Sequence, residues 1–92
     1  MIKITDKGDK AWVTFTFSAK NAETVEISGA WNEWQSLPMK RKKNGDFSIR
    51  RRFNKGHSYE FGYTINGQEW HCDEELGCVA SPFGSDNSLL VL

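Results

Sequence analysis

Ninety-two residues are enough for one domain with one core; a chain this short buries roughly 60–65% of its unfolded surface. Twelve Lys and Arg balance twelve Asp and Glu, so net charge selects neither nucleic acid nor an acidic surface as partner. Residues 1–7 lack the apolar run of a secretory signal and no segment approaches a membrane span, so the expectation is a cytoplasmic chain with no membrane partner.

Residues 1–10 are polar and read as a loosely held lead-in, with a short edge strand at Ile2–Ile4. From Ala11 to Ser18 the chain alternates: Val13, Phe15 and Phe17 on one face, Trp12, Thr14 and Thr16 on the other. That period of two predicts a half-buried strand. Ala19–Glu23 is a polar turn, and Thr24–Gly29 a second strand with Val25 and Ile27 inward. It leads into Ser28-Gly29-Ala30-Trp31-Asn32-Glu33-Trp34. Two tryptophans three residues apart at a strand end can divide the work, one falling back on the core and the other standing in solvent as an apolar plate; the alternative is that both are core.

Asn44-Gly45 between two strand-like runs is a hairpin signal; a two-residue loop would set Lys43 against Asp46 and Lys42 against Phe47. Phe47, Ile49, Arg51 and Phe53 then share a face, with the Arg51 stem over apolar surface and its head in water. Ser58–Asn66 is the clearest strand: Tyr59, Phe61, Tyr63 and Ile65 face one way and Glu60, Gly62 and Thr64 the other. Asn66-Gly67 turns it into a short strand with Trp70 and His71. Asp73–Asn87 reads as a long loop and Ser88–Leu92 as the closing strand. About seven short strands and no helical spacing predict an all-β, immunoglobulin-like sandwich of two antiparallel sheets over residues 1–92. Cys72 and Cys78 match neither zinc-ligand nor Cys-x-x-Cys spacing; in a reducing cytosol they are expected as free thiols, with no metal and no cofactor.

Eight of the twelve basic residues lie in 40–55, with Asp46 the sole acid among them. The first reading is a solvated hairpin whose charge protects a sheet edge; the other is a patch for an anionic partner. No nucleic-acid motif accompanies it, so nucleic acid is not an expected partner. Catalysis is not expected either. No nucleophile–base pairing is evident, and Asp73, Glu74 and Glu75 sit in one loop rather than across a cleft.

From Ala11 to Leu92 the chain resembles the glycogen-binding domains of carbohydrate-binding module family 48, found before the catalytic domains of isoamylases and branching enzymes and in the β subunit of AMP-activated protein kinase. The resemblance rests on pieces in order: residues 25–34, Leu37-Pro38-Met39, Gly45-Asp46-Phe47, Lys55-Gly56-His57, residues 59–67, Trp70 with Asp73, and Asn87. It implies a non-catalytic module for α-1,4-linked glucan that accompanies a glycogen-metabolising enzyme or another protein. It also implies Trp34 and Trp70 as stacking platforms, Asn87 bonding sugar hydroxyls, and Phe83 and Ser85 as further contacts from the preceding loop. The family often has a sugar-bonding lysine in the long strand. Here that position is Gly62, or Glu60 in a shifted register, which predicts a weaker site. The reading from another class is a sandwich without a sugar site, holding an anionic or protein partner through residues 40–55.

Overall fold

The structure is a computed structural model, and it describes residues 1–80 and 86–92. Among these residues ten strands follow one another: β1 (Ile2–Lys7), β2 (Lys10–Ser18), β3 (Val25–Gly29), β4 (Leu37–Pro38), β5 (Lys40–Arg41), β6 (Asp46–Asn54), β7 (Ser58–Ile65), β8 (Glu69–His71), β9 (Val79–Ala80) and β10 (Asp86–Val91). One 3-10 turn, Ala30–Asn32, follows β3. All pairings are antiparallel. A four-stranded sheet runs β1-β2-β6-β5. A six-stranded sheet runs β4-β3-β7-β10-β9, with β8 also on β7. This is the predicted two-sheet β-sandwich.

The alternation in β2, β3, β6 and β7 determines what lies between the sheets. Val13, Phe15 and Phe17 meet Phe47 and Phe53 on one side and Val25, Ile27, Phe61, Tyr63 and Leu90 on the other. The packing is aromatic. Phe15 meets Phe61 edge-on with centroids 5.2 Å apart, and Phe17 meets Tyr63 at 4.6 Å; such pairs add about 0.5–1.5 kcal/mol each beyond the area they bury. Trp31 closes one end of this core against Phe15, Phe53 and Phe61 at 5.3–5.8 Å. Its ring lies on Gly29, where an added Cβ would fall 2.6 Å from the indole. Arg51 shares the inward face yet is exposed, as expected of a stem at the sheet margin, and donates to the Arg50 carbonyl.

Besides β4 and β9, short strands in stretches expected as loops, and a closing strand that begins at Asp86, three features differ from expectation. The edge strand at the start extends to Lys7 and pairs along its whole length with β2. The Asn44-Gly45 hairpin has a three-residue loop: Lys40 pairs with Ser48 and Arg41 with Phe47, which sets Lys42 opposite Asp46. Only Gly45 takes positive φ (+91°), while the Asn44 side chain accepts from the Asp46 amide at 3.0 Å. A turn closed by one left-handed glycine needs one more residue than a two-residue loop does. Finally, Cys72 and Cys78 form a disulfide instead of free thiols. The bridge between Asp73 and Gly77 folds the chain back on itself. The next pair outward is Cys72 and Cys78, with Cα atoms 5.6 Å apart, a separation that suits a disulfide.

Candidate functional site

β7 is the floor of the site. One of its edges is shared end to end by two strands: β10 pairs with its first half, Ser58 to Phe61, and β8 with its second half, Tyr63 to Ile65. Gly62 sits at the seam. This arrangement brings β8, which carries Trp70, next to the start of β10, which carries Asn87, although seventeen positions separate them in sequence. On the outer face of β7 stand Glu60, Gly62 and Thr64, the residues that alternate with the buried Phe61 and Tyr63.

The Trp70 indole lies across Gly62. A Cβ there would fall 2.2 Å from Cζ2 of the ring. Nε1 donates to the Asp86 carbonyl at 2.9 Å, which fixes the rotation of the plate. Trp34 arrives from the other side. After the 3-10 turn, Glu33 and Trp34 both adopt left-handed backbone, φ 61° and 64°, and the Trp34 amide donates back to the Gly29 carbonyl at 2.9 Å. Asn32 Nδ2 donates to the Gln35 carbonyl across the same turn. Left-handed backbone costs a side-chain-bearing residue about 1–2 kcal/mol, and for a residue as bulky as tryptophan it is an outlier. Here it rotates the indole out of the core and toward Trp70. The two ring centroids are 6.2 Å apart with planes at 51°. Trp34 is 41% exposed and Trp70 39%. Both are surface plates, unlike Trp31.

Asn87 occupies a different layer. It is only 5% exposed, and its Nδ2 donates to Oε1 of Glu60 at 3.1 Å. The amide thus positions a carboxylate at the surface beside the indoles. Glu60 and Gly62 take part in the site without having been assigned to it from sequence, where they stood only as the family's lysine position. The alternation of β7 did place both on the outer face, and the seam under Trp70 needed the pairing of β8 and β10. Phe83 and Ser85 lie outside the described residues.

Behind the plates the chain is anchored by Asp73, which is 1% exposed. Its carboxylate accepts from the Tyr63 hydroxyl at 2.8 Å and from the amides of Glu75 and Leu76 at 2.9 and 3.1 Å, while its own amide donates to Ser88 Oγ at 2.7 Å. Burial, and then the hydrogen bond to this carboxylate, hold the Tyr63 hydroxyl far above its ordinary titration range. Together with the disulfide, this anchor returns the chain from β8 to β9 and β10 and so determines where Asp86 meets Trp70. Among the described residues, no group of His, Cys, Asp and Glu is arranged to hold a metal ion.

Fold and face define a β-sandwich module that presents a pair of tilted indoles on the outside of one sheet. The family model described as the glycogen recognition site of AMP-activated protein kinase matches residues 11–92, and the chain belongs to that family. A search of curated proteins found no match to the chain.

Proposed function

We propose that the domain is a non-catalytic binding module for α-1,4-linked glucan, with Trp34 and Trp70 as its platforms and Glu60 and Asn87 beside them. The observation that carries this reading is the pair of exposed indoles set at 51°. The axial C–H faces of glucose are weakly apolar, and an indole matches such a face and excludes water from it. Successive rings of an α-1,4 chain turn relative to one another, so plates at an angle follow its curve. A flat β-linked chain favours coplanar plates. Hydroxyls around the sugar rim need fixed partners to hold register. Where related modules offer a lysine donor, the Glu60 carboxylate offers an acceptor, aimed by Asn87.

Each stacked ring contributes on the order of 1–2 kcal/mol. Two rings and a few hydrogen bonds, less the cost of immobilising a flexible sugar, give a dissociation constant roughly in the micromolar to millimolar range. A weak site of this kind gains from being tethered beside an enzyme that acts on the same polymer.

The test is an NMR titration with maltoheptaose, and with cellohexaose as control. The indole signals of Trp34 and Trp70 and the amides around Asn87 should shift with the α-glucan alone, while the Trp31 indole stays put. Absence of any shift at several millimolar maltoheptaose would refute the reading.

A further inference from the structure

The register of the four-stranded sheet turns a run of basic residues into a surface. Trp12, Thr14 and Thr16 of β2 point away from the core. The pairing places Lys3 beside Thr14 and Lys7 beside Lys10 on one flank, with Arg52 beside Trp12 and Arg50 beside Thr14 on the other; Lys40 lies beyond Ser48. Residues paired across a ladder share a face, so six cations stand on one side of one sheet. Arg50 and Arg52 both lie over the Trp12 indole, with guanidinium carbons 4.4 and 5.8 Å from ring centroids. The carboxylate on this face, Asp46, is at its far end, hydrogen-bonded to Ser18. Among the described residues none of the six cations forms an ion pair.

The opposite sheet is the reverse. Its strands contain no Lys or Arg and carry Glu26, Glu60, Glu69 and Asp86. A chain of zero net charge is therefore strongly polarised through its thickness, with the indole pair on the acidic side and the cations on the other.

We propose that the outer face of the four-stranded sheet docks on an anionic lipid surface, leaving the tryptophan pair turned away from it. The array is two-dimensional, spread over four strands at about 4.8 Å between neighbours and about 6.6 Å between alternate residues of a strand. A planar field of negative headgroups engages all six cations together, whereas a single extended polymer lies along one row. The Trp12 indole on this face already carries two guanidiniums, which leaves less of it for a base to stack on. Arginine further suits the task because a guanidinium is weakly hydrated and binds phosphate oxygens in a fork.

The experiment is co-sedimentation of the whole chain with vesicles of phosphatidylcholine alone and with 30% phosphatidylserine. Retention is expected on the anionic vesicles only, and should fall steeply between 25 and 300 mM NaCl. Each cation near such a surface is worth about fivefold in partitioning, so Arg50→Gln with Arg52→Gln should lower retention about 25-fold. Arg50→Lys with Arg52→Lys should keep it, which separates charge from packing on Trp12. If the glutamine pair destabilises the sheet, Lys3→Gln with Lys7→Gln on the edge strand makes the same test. Maltoheptaose shifts should be unchanged in every variant, so failure here and failure of glucan binding are read separately. Equal retention on neutral vesicles, an unchanged partition in both glutamine variants, or tenfold tighter binding to inorganic polyphosphate than to anionic vesicles would overturn the assignment.

Discussion

Gly62→Ala adds one methyl group under the Trp70 plate. The new Cβ would lie 2.2 Å from Cζ2 and 2.7 and 2.8 Å from two further ring atoms, where ordinary contact begins near 3.4 Å. The ring must move by roughly 1.2 Å at its closest point, the difference between those two distances. It has room to do so, because Trp70 lies on the outside of the sheet. Lifting it breaks the bond from Nε1 to the Asp86 carbonyl, worth about 1 kcal/mol and partly replaced by water at this exposed position. Gly62 is not among the positive-φ glycines, so alanine fits the backbone and recovers about 0.5–1 kcal/mol of the cost of glycine in a strand. Net stability should change by less than about 1 kcal/mol, a shift in Tm under roughly 8 °C for a chain of this size. The glucan site should lose one correctly set ring, or about 1–2 kcal/mol, which is a 5- to 30-fold rise in Kd for maltoheptaose by tryptophan fluorescence. Adding Trp70→Ala to Gly62→Ala should cost nothing more, since both act through the same ring. Wild-type affinity in Gly62→Ala, or a fall in Tm beyond about 15 °C, would refute the argument.

The same substitution at Gly29 should do the opposite: its Cβ would meet the Trp31 ring, which closes the core, so Gly29→Ala should lose about 1–3 kcal/mol in urea unfolding. Tyr63 predicts an alkaline limit. Its hydroxyl titrates higher in the fold than in the unfolded chain, so its contribution is complete below pH ~10 and is lost above it at about 1.4 kcal/mol per pH unit. Stability of Tyr63→Phe measured from pH 8 to 11 should be flatter than wild type at the alkaline end. At neutral pH the variant should be weaker by about 1–3 kcal/mol, because buried Asp73 loses a donor. Reducing Cys72–Cys78, or Cys78→Ser, should lower stability by about 2 kcal/mol, the entropy of a loop this short. The Asp73 hydrogen bonds should keep the domain folded, as amide hydrogen exchange in β10 can report.

Much of this molecule follows from local pattern. The period of two in β2, β3, β6 and β7 determined which side chains meet between the sheets, because a strand must present alternate residues to opposite faces. The Asn-Gly pairs determined where two hairpins turn. The place of Trp31 and Trp34 at the end of β3 left open whether both belong to the core, and the left-handed backbone at Glu33 and Trp34 is what turns Trp34 outward. What depended on tertiary structure was everything carried by pairing between distant strands. The length of the Lys43–Gly45 loop came from the register of β5 on β6. The disulfide came from the Asp73 bridge, which no cysteine spacing encodes. Gly62 reads as an empty position in sequence, and becomes the bed of Trp70 only because β8 and β10 divide one edge of β7 between them. The burial of Asn87 and its bond to Glu60 likewise came from the pairing of β10 with β7. The basic run at 40–55 looked like one hairpin, but only Lys40, Arg50 and Arg52 of it stand on the outer face, where three lysines from β1 and β2 join them. The physical reason is common to all of these. Backbone preference and amphipathicity act over a few residues, whereas register is set by packing across the whole core, and the binding surfaces are built from register.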